Sequence, residues 1–253
     1  MALVDCDFYS ESLEMGASVS VVLPQATETQ IGVDAAAGPS GPLPVLYLLH
    51  GLSDDHTAWI RYTSIERYAA AAGLAVVMPA VGRSFYADER HGHRYWTYVS
   101  EELPRVMGSF FRFSDRREDT FVAGLSMGGY GALRLALTHP DRFAAVASLS
   151  GALDVVALAG LPERQELFDR TYGGTPGTDE DLFALLASAT AADLPPMYIS
   201  CGTEDPLFPL NKRFVAEATT ARATVTTDFR PGEHEWGLWD DVIQDVIDWL
   251  PLG

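Results

Sequence analysis

The most constraining stretch of this chain runs from Thr120 to Leu137, where Gly124-Leu125-Ser126-Met127-Gly128 lies between an apolar segment and a helix-period segment. A bare G-x-S-x-G pattern recurs by chance in many proteins, so its flanks carry the information. Thr120 to Ala123 reads as a buried strand and Gly128 to Thr138 as an amphipathic helix. Strand, sharp turn and helix together lift a serine hydroxyl clear of the end of a sheet. A turn of that kind strains the backbone at the serine and brings its neighbours so close that side chains at 124 and 128 would collide. A serine acting only as a helix N-cap would account for Ser126 but not for both glycines. The helix that follows also points its free N–H groups and positive dipole end at the hydroxyl, where developing negative charge would be stabilised.

The surrounding pattern agrees with that unit. The apolar runs Val45 to Leu49, Leu74 to Met78, Phe143 to Leu149 and Met197 to Cys201 are too short for core helices and read as strands buried on both faces. Between them, Ile65 to Ala72, Glu101 to Phe111, Leu210 to Ala221 and Trp239 to Leu250 have amphipathic helix spacing. Ala17 to Leu23 and Ala223 to Phe229 add two further strands, the first antiparallel and near an edge, and Val33 to Pro44 reads as a turn. Strands alternating with helices predict an α/β fold: a mostly parallel central sheet with helices on both faces. Its length fits one domain spanning residues 1–253. Residues 151 to 196 lack a convincing strand and leave room for a small helical lid rather than a cap domain.

Charge narrows the partners. Seventeen basic residues against thirty-five acidic ones give a net charge of −18, a field that repels phosphate backbones and anionic membrane surfaces. Nucleic-acid and membrane binding are thereby disfavoured. Cys6 and Cys201 are too few for a disulfide framework and lack zinc-site spacing, so both read as free thiols. No apolar stretch approaches the roughly 20 residues that span a bilayer. The expectation is a soluble, cytoplasmic protein.

A serine hydroxyl is a weak nucleophile until a neighbouring base accepts its proton. In the α/β-hydrolase fold that the elbow implies, the chain order is serine, acid, histidine, which leaves His139 and His234. His139 ends the helix after the elbow, just before Pro140, where a structural role suffices. His234 lies in a loop between the last strand and the last helix, the place expected for a catalytic base. The orienting acid should follow the penultimate strand, where Glu204 and Asp205 both stand; turn geometry favours Asp205 and turns Glu204 toward solvent.

Acyl transfer also needs two backbone N–H donors for a tetrahedral oxyanion. Met127, after the nucleophile, offers one, and Leu52, after the strand ending at His50-Gly51, offers the second. His50 reads as a brace for that loop. The His91/His93 pair has no carboxylate pattern that would make it a metal site, and no metal is expected. Trp59, Phe85, Tyr86, Trp236 and Trp239 lie in loops that should converge above Ser126, and Trp59, Tyr86 and Trp236 are the candidate pocket walls.

These residues resemble a known family, the small carboxylesterases of the tributyrin esterase group, related to esterase D and S-formylglutathione hydrolase. The resemblance spans most of the chain and rests on Tyr47-Leu-Leu-His-Gly-Leu-Ser, Trp59 with Ile65-Glu-Arg, Glu101-Glu-Leu-Pro, Ala123-Gly-Leu-Ser-Met-Gly-Gly-Tyr-Gly, Ser150-Gly-Ala-Leu, Cys201-Gly-Thr-Glu-Asp and Gly232-Glu-His-Glu-Trp. It implies the triad Ser126, Asp205 and His234 with oxyanion donors at Leu52 and Met127. It further implies hydrolysis of short-chain acyl esters, no cofactor, and frequent assembly into homo-oligomers. The alternative it leaves open is an S-formylglutathione hydrolase-like thioesterase or an acyltransferase. Leu125 stands where S-formylglutathione hydrolases tend to have histidine, and their threonine-cysteine pair after the oxyanion leucine is missing, which weakens the thioesterase reading.

Overall fold

Successive residues of the central strands face opposite sides of one sheet, and both sides are covered. Val45, Tyr47 and Leu49 pack into one apolar cluster while Leu46 and Leu48 pack into another, the period-2 consequence of a strand buried on both faces. This computed structural model describes residues 1–26 and 41–252. The strands are β1 (Ala2–Ser10), β2 (Met15–Leu23), β3 (Val45–Leu49), β4 (Ala75–Pro79), β5 (Thr120–Leu125), β6 (Ala145–Leu149), β7 (Met197–Gly202) and β8 (Val225–Arg230). They lie in the order β1-β2-β4-β3-β5-β6-β7-β8. From β4 to β8 all pairings are parallel, while β2 runs against both β1 and β4. This is the α/β-hydrolase architecture expected from the sequence.

The helices are α1 (Ala58–Tyr62), α2 (Ile65–Ala72), α3 (Tyr95–Thr97), α4 (Leu103–Phe110), α5 (Met127–Thr138), α6 (Val155–Ala159), α7 (Gln165–Tyr172), α8 (Leu182–Ser188), α9 (Phe208–Thr220) and α10 (Trp236–Trp249). Residues of α1, α2 and α10 cover one face, through side chains such as Trp59, Ile65 and Ile243. Those of α4, α5, α7, α8 and α9 cover the other. Among the described residues no helix is long and apolar enough to cross a membrane.

Two points of the sequence reading need adjusting. The edge strand β1 was not foreseen, because the N-terminal segment lacks an apolar run; its signal is the alternation of half-buried Val4, Cys6 and Phe8 with exposed Asp5 and Asp7. The helix expected from Glu101 starts earlier, as α3 passes through a π-turn at Tyr98–Glu102 into α4. There the buried Glu102 carboxylate accepts hydrogen bonds from the Ser10 hydroxyl and the Glu11 and Ser12 N–H groups, tying the β1–β2 turn to the helix. The turn read at Val33 to Pro44 falls mostly outside the described residues. Residues 151–196 form α6, a 3₁₀ turn at Pro162–Arg164, α7 and α8, with no strand.

The chain leaves β3 toward β4 on one side and returns to β5 on the other. Loops at the carboxyl ends of β3 and β5 therefore open a crevice where the strand order reverses, the usual ligand position in such sheets.

Candidate active site

Ser126 stands at the carboxyl end of β5 with φ 54° and ψ −116°, a conformation that non-glycine residues rarely adopt. Its surroundings hold it there. The Ser126 N–H donates to Leu149 O at 2.9 Å, and its carbonyl accepts from Ala152 N–H at 3.0 Å and Tyr130 N–H at 3.2 Å. A Cβ on Gly124 would lie 2.4 Å from Gly128 O, and one on Gly128 would lie 2.4 Å from Leu49 O. Both glycines of the motif are thus required by backbone packing against β3 and α5.

His234 reaches the same point from the loop between β8 and α10. Its Nε2 is 3.1 Å from Ser126 Oγ, and its Nδ1 is 2.7 Å from Asp205 Oδ2. Three residues distant in sequence form one hydrogen-bonded line. Asp205 is buried, and its second oxygen accepts from Leu207 N–H at 2.8 Å. Burial is the largest influence on this carboxyl and acts to raise its pKa. The hydrogen bonds from His234, Leu207 N–H and the Ser150 hydroxyl together outweigh it, so the group titrates below the usual carboxylate range.

Glu204 is exposed and turned away; its carboxylate instead accepts from Gly232 N–H at 2.7 Å, bracing the loop that carries His234. Beneath the line lies Ser150, held at φ 48°, whose hydroxyl accepts from Trp239 Nε1–H at 3.1 Å. The Trp239 ring meets the His234 ring edge to face at 4.8 Å. Ser150 supports both acid and base, a role that sequence reasoning missed. The hint lay in Ser150-Gly-Ala-Leu, a segment of the family resemblance, which follows β6 one strand over from Ser126.

On the other side of Ser126, the loop after β3 is fixed at successive carbonyls. Trp59 Nε1–H donates to Leu49 O at 3.2 Å and the Tyr86 hydroxyl to His50 O at 2.9 Å. His50 Nε2 accepts from Val81 N–H at 3.0 Å, which leaves its hydrogen on Nδ1, donated to Gly51 O at 2.7 Å. Burial lowers the His50 pKa against the upward pull of that hydrogen bond and of Asp54 and Asp55, keeping the ring neutral. Among the described residues, neither Leu52 nor Met127 donates its N–H to a protein acceptor outside regular secondary structure, and both flank Ser126 in the cavity wall.

The family model described as "Putative esterase" matches residues 10–248. The chain belongs to this esterase family. The esterase is 29% identical over 266 residues to "Acetyl esterase" of Caldicellulosiruptor saccharolyticus, covering 99% of this chain and 98% of the relative. Among solved structures it resembles FphF, a fluorophosphonate-binding serine hydrolase of Staphylococcus aureus, with a TM-score of 0.89 and 34% identity over 99% of this chain and 98% of that one. It is also similar to the S-formylglutathione hydrolase FrmB of the same organism, with a TM-score of 0.84 and 35% identity over the same shares of the two chains. The esterase is a serine hydrolase acting on carboxylic esters.

Ser126, His234 and Asp205 border a cavity of about 480 Å³. Its apolar wall includes Phe85, Leu158, Leu207, Trp236 and Trp239. Two of the expected wall residues are elsewhere. Trp59 and Tyr86 are fully buried behind the loop after β3, where their polar atoms are consumed in holding that loop. Trp59 instead backs Trp236 edge to face at 5.3 Å. Of the remaining histidines, His139 stacks on Trp96 at the end of α5. Among the described residues no group of His, Cys, Asp and Glu could hold a metal ion, His91 and His93 included.

Proposed function

We propose that this esterase hydrolyses short-chain acyl esters, acetyl to butyryl, through an acyl-enzyme on Ser126. The observation that carries this reading is the unbroken line from Ser126 Oγ through His234 to buried Asp205, opening on a cavity. His234 Nε2 takes the hydroxyl proton as Oγ bonds to the ester carbonyl carbon. The imidazolium then returns that proton to the departing alkoxide as the carbon–oxygen bond breaks. Water attacks the acyl-enzyme by the same route in reverse, giving the acid and restoring the serine. Asp205 keeps Nδ1 protonated and steadies the positive ring. The N–H groups of Met127, at the positive end of α5, and of Leu52 receive the oxyanion.

The acetyl esterase name of the Caldicellulosiruptor relative supports the short acyl end of the range. Initial rates on para-nitrophenyl esters graded from acetate to octanoate test it. The expected kcat/KM peaks between acetate and butyrate and falls beyond, and Ser126→Ala abolishes turnover by about four orders of magnitude or more. A maximum at the long esters would refute the chain-length claim, and surviving turnover in Ser126→Ala would remove Ser126 from its role. The likeness to FrmB favours a second reading, hydrolysis of S-formylglutathione. A kcat/KM on that thioester far above the best oxygen ester would establish it.

A further inference from the structure

The chain carries twice as many acidic as basic residues, yet two arginines, Arg83 and Arg164, line the catalytic cavity. Among the described residues neither guanidinium makes a salt bridge, although arginines elsewhere pair readily, as in Arg134 with Glu180, Arg213 with Asp154 and Arg230 with Asp228 and Asp245. The carboxylates in the same lining do not neutralise them: Asp205 is buried against His234, and Asp54 belongs to the loop after β3. Glu163 and Glu166 border the adjoining cleft with Arg83 but form no salt bridge with it.

The position of Arg83 is built. It follows Gly82, which has φ 54°, and its own carbonyl accepts a hydrogen bond of 2.9 Å from Arg170 on α7. Arg170 is itself locked by an ion pair to the buried Glu89 carboxylate. The α6–α7 segment therefore does two things. It brings Arg164 to the cavity from the turn before α7, and it fastens the loop that presents Arg83. Two guanidiniums without a salt-bridge partner among the described residues, Arg83 exposed and Arg164 half-buried at the cavity mouth, form a receptor for a carboxylate.

We propose that Arg83 and Arg164 select esters that carry a carboxylate remote from the scissile carbonyl. This rests on the catalytic reading above and adds the substrate class to it. A carboxylate could sit on either product of the cleavage, so two matched pairs are compared. One places it on the leaving group, para-acetoxybenzoate against para-acetoxybenzamide. The other places it on the acyl group, the mono-para-nitrophenyl ester of glutaric acid against para-nitrophenyl pentanoate. The quantity read is the ratio of kcat/KM for the charged to the uncharged member.

In at least one pair that ratio falls about three- to fivefold in Arg83→Gln or Arg164→Gln and further in the double variant. Lysine at either position restores part of it, and the wild-type ratio shrinks in 1 M salt, where screening acts within about 3 Å. Ratios unchanged in both pairs, with the esters still turned over, would overturn the selectivity while leaving the catalytic reading intact. Failure of the wild-type protein to cleave any of the four esters would instead strike at the catalytic reading itself.

Discussion

Around Ser126, at the floor of the cavity, backbone atoms are packed so tightly that neither glycine of the elbow could gain a methyl group, and the carbonyls of Leu49, His50 and Gly51 each receive a side-chain donor. Along the rim, between α6 and α7, Leu161 is 39% exposed and Arg164 contacts the cavity from a single 3₁₀ turn. The floor fixes positions to within a hydrogen bond because transition-state stabilisation depends on donors that are already aimed. The rim, under the proposed selectivity, is where substrates that differ from one ester to the next would be told apart. Chemistry thus belongs to the sheet, and the proposed selectivity to the connection between α6 and α7.

That contrast yields a graded set of outcomes. The largest effect belongs to Asp205→Asn, which keeps the shape but lets the amide donate to Nδ1 and disfavours the required tautomer; kcat should fall by about 10⁴-fold in steady-state assays. Gly128→Ala should cost about 3 kcal/mol of stability in denaturant titration, since its methyl group meets the Leu49 carbonyl, whereas Arg164→Gln on the rim should stay within about 0.5 kcal/mol. Equal losses at the two positions would erase the distinction between floor and rim. Ser150→Ala removes the hydroxyl that accepts from Trp239 and helps lower the Asp205 pKa, and should lower kcat by about tenfold with little change in KM.

The smallest effect is one of pH. The pKa of His50 is lowered in the folded protein, so the unfolded chain takes up the proton first as acid is added. Its contribution to stability is therefore complete above its ordinary value of 6.5 and is lost as pH falls below that toward the folded value. In His50→Gln the slope of unfolding free energy against pH just below 6.5 should flatten, by at most about 1.4 kcal/mol per pH unit. An unaltered slope would show that His50 is not held neutral.

Much of this was legible in the residues themselves. The elbow, its two glycines and the order of serine, acid and base are local or topological constraints, and they point to Ser126, Asp205 and His234 from the sequence. Helix α2 falls at Ile65–Ala72 as its amphipathic spacing predicts. What stayed hidden depends on contacts between distant segments. Trp59 and Tyr86 look like pocket walls because they are large, aromatic and close in sequence to the oxyanion loop, but burial of their rings and capture of their polar atoms can be decided only in three dimensions. Ser150 stands in a segment that carries the family resemblance, but its contact with Trp239 arises only in three dimensions, where β6 lies beside β5. Strand β1 escaped because an edge strand needs only alternate half-buried residues, a weaker signal than an apolar run.

The central claim, that His234 makes Ser126 the nucleophile, is tested most directly by mapping covalent capture. The protein is treated with a fluorophosphonate, and the adduct is located by peptide mass spectrometry in the wild type and in His234→Ala. The account predicts a single adduct on Ser126 in the wild type and a rate of labelling that collapses in the variant. An adduct on another residue, or labelling of His234→Ala at the wild-type rate, would contradict it.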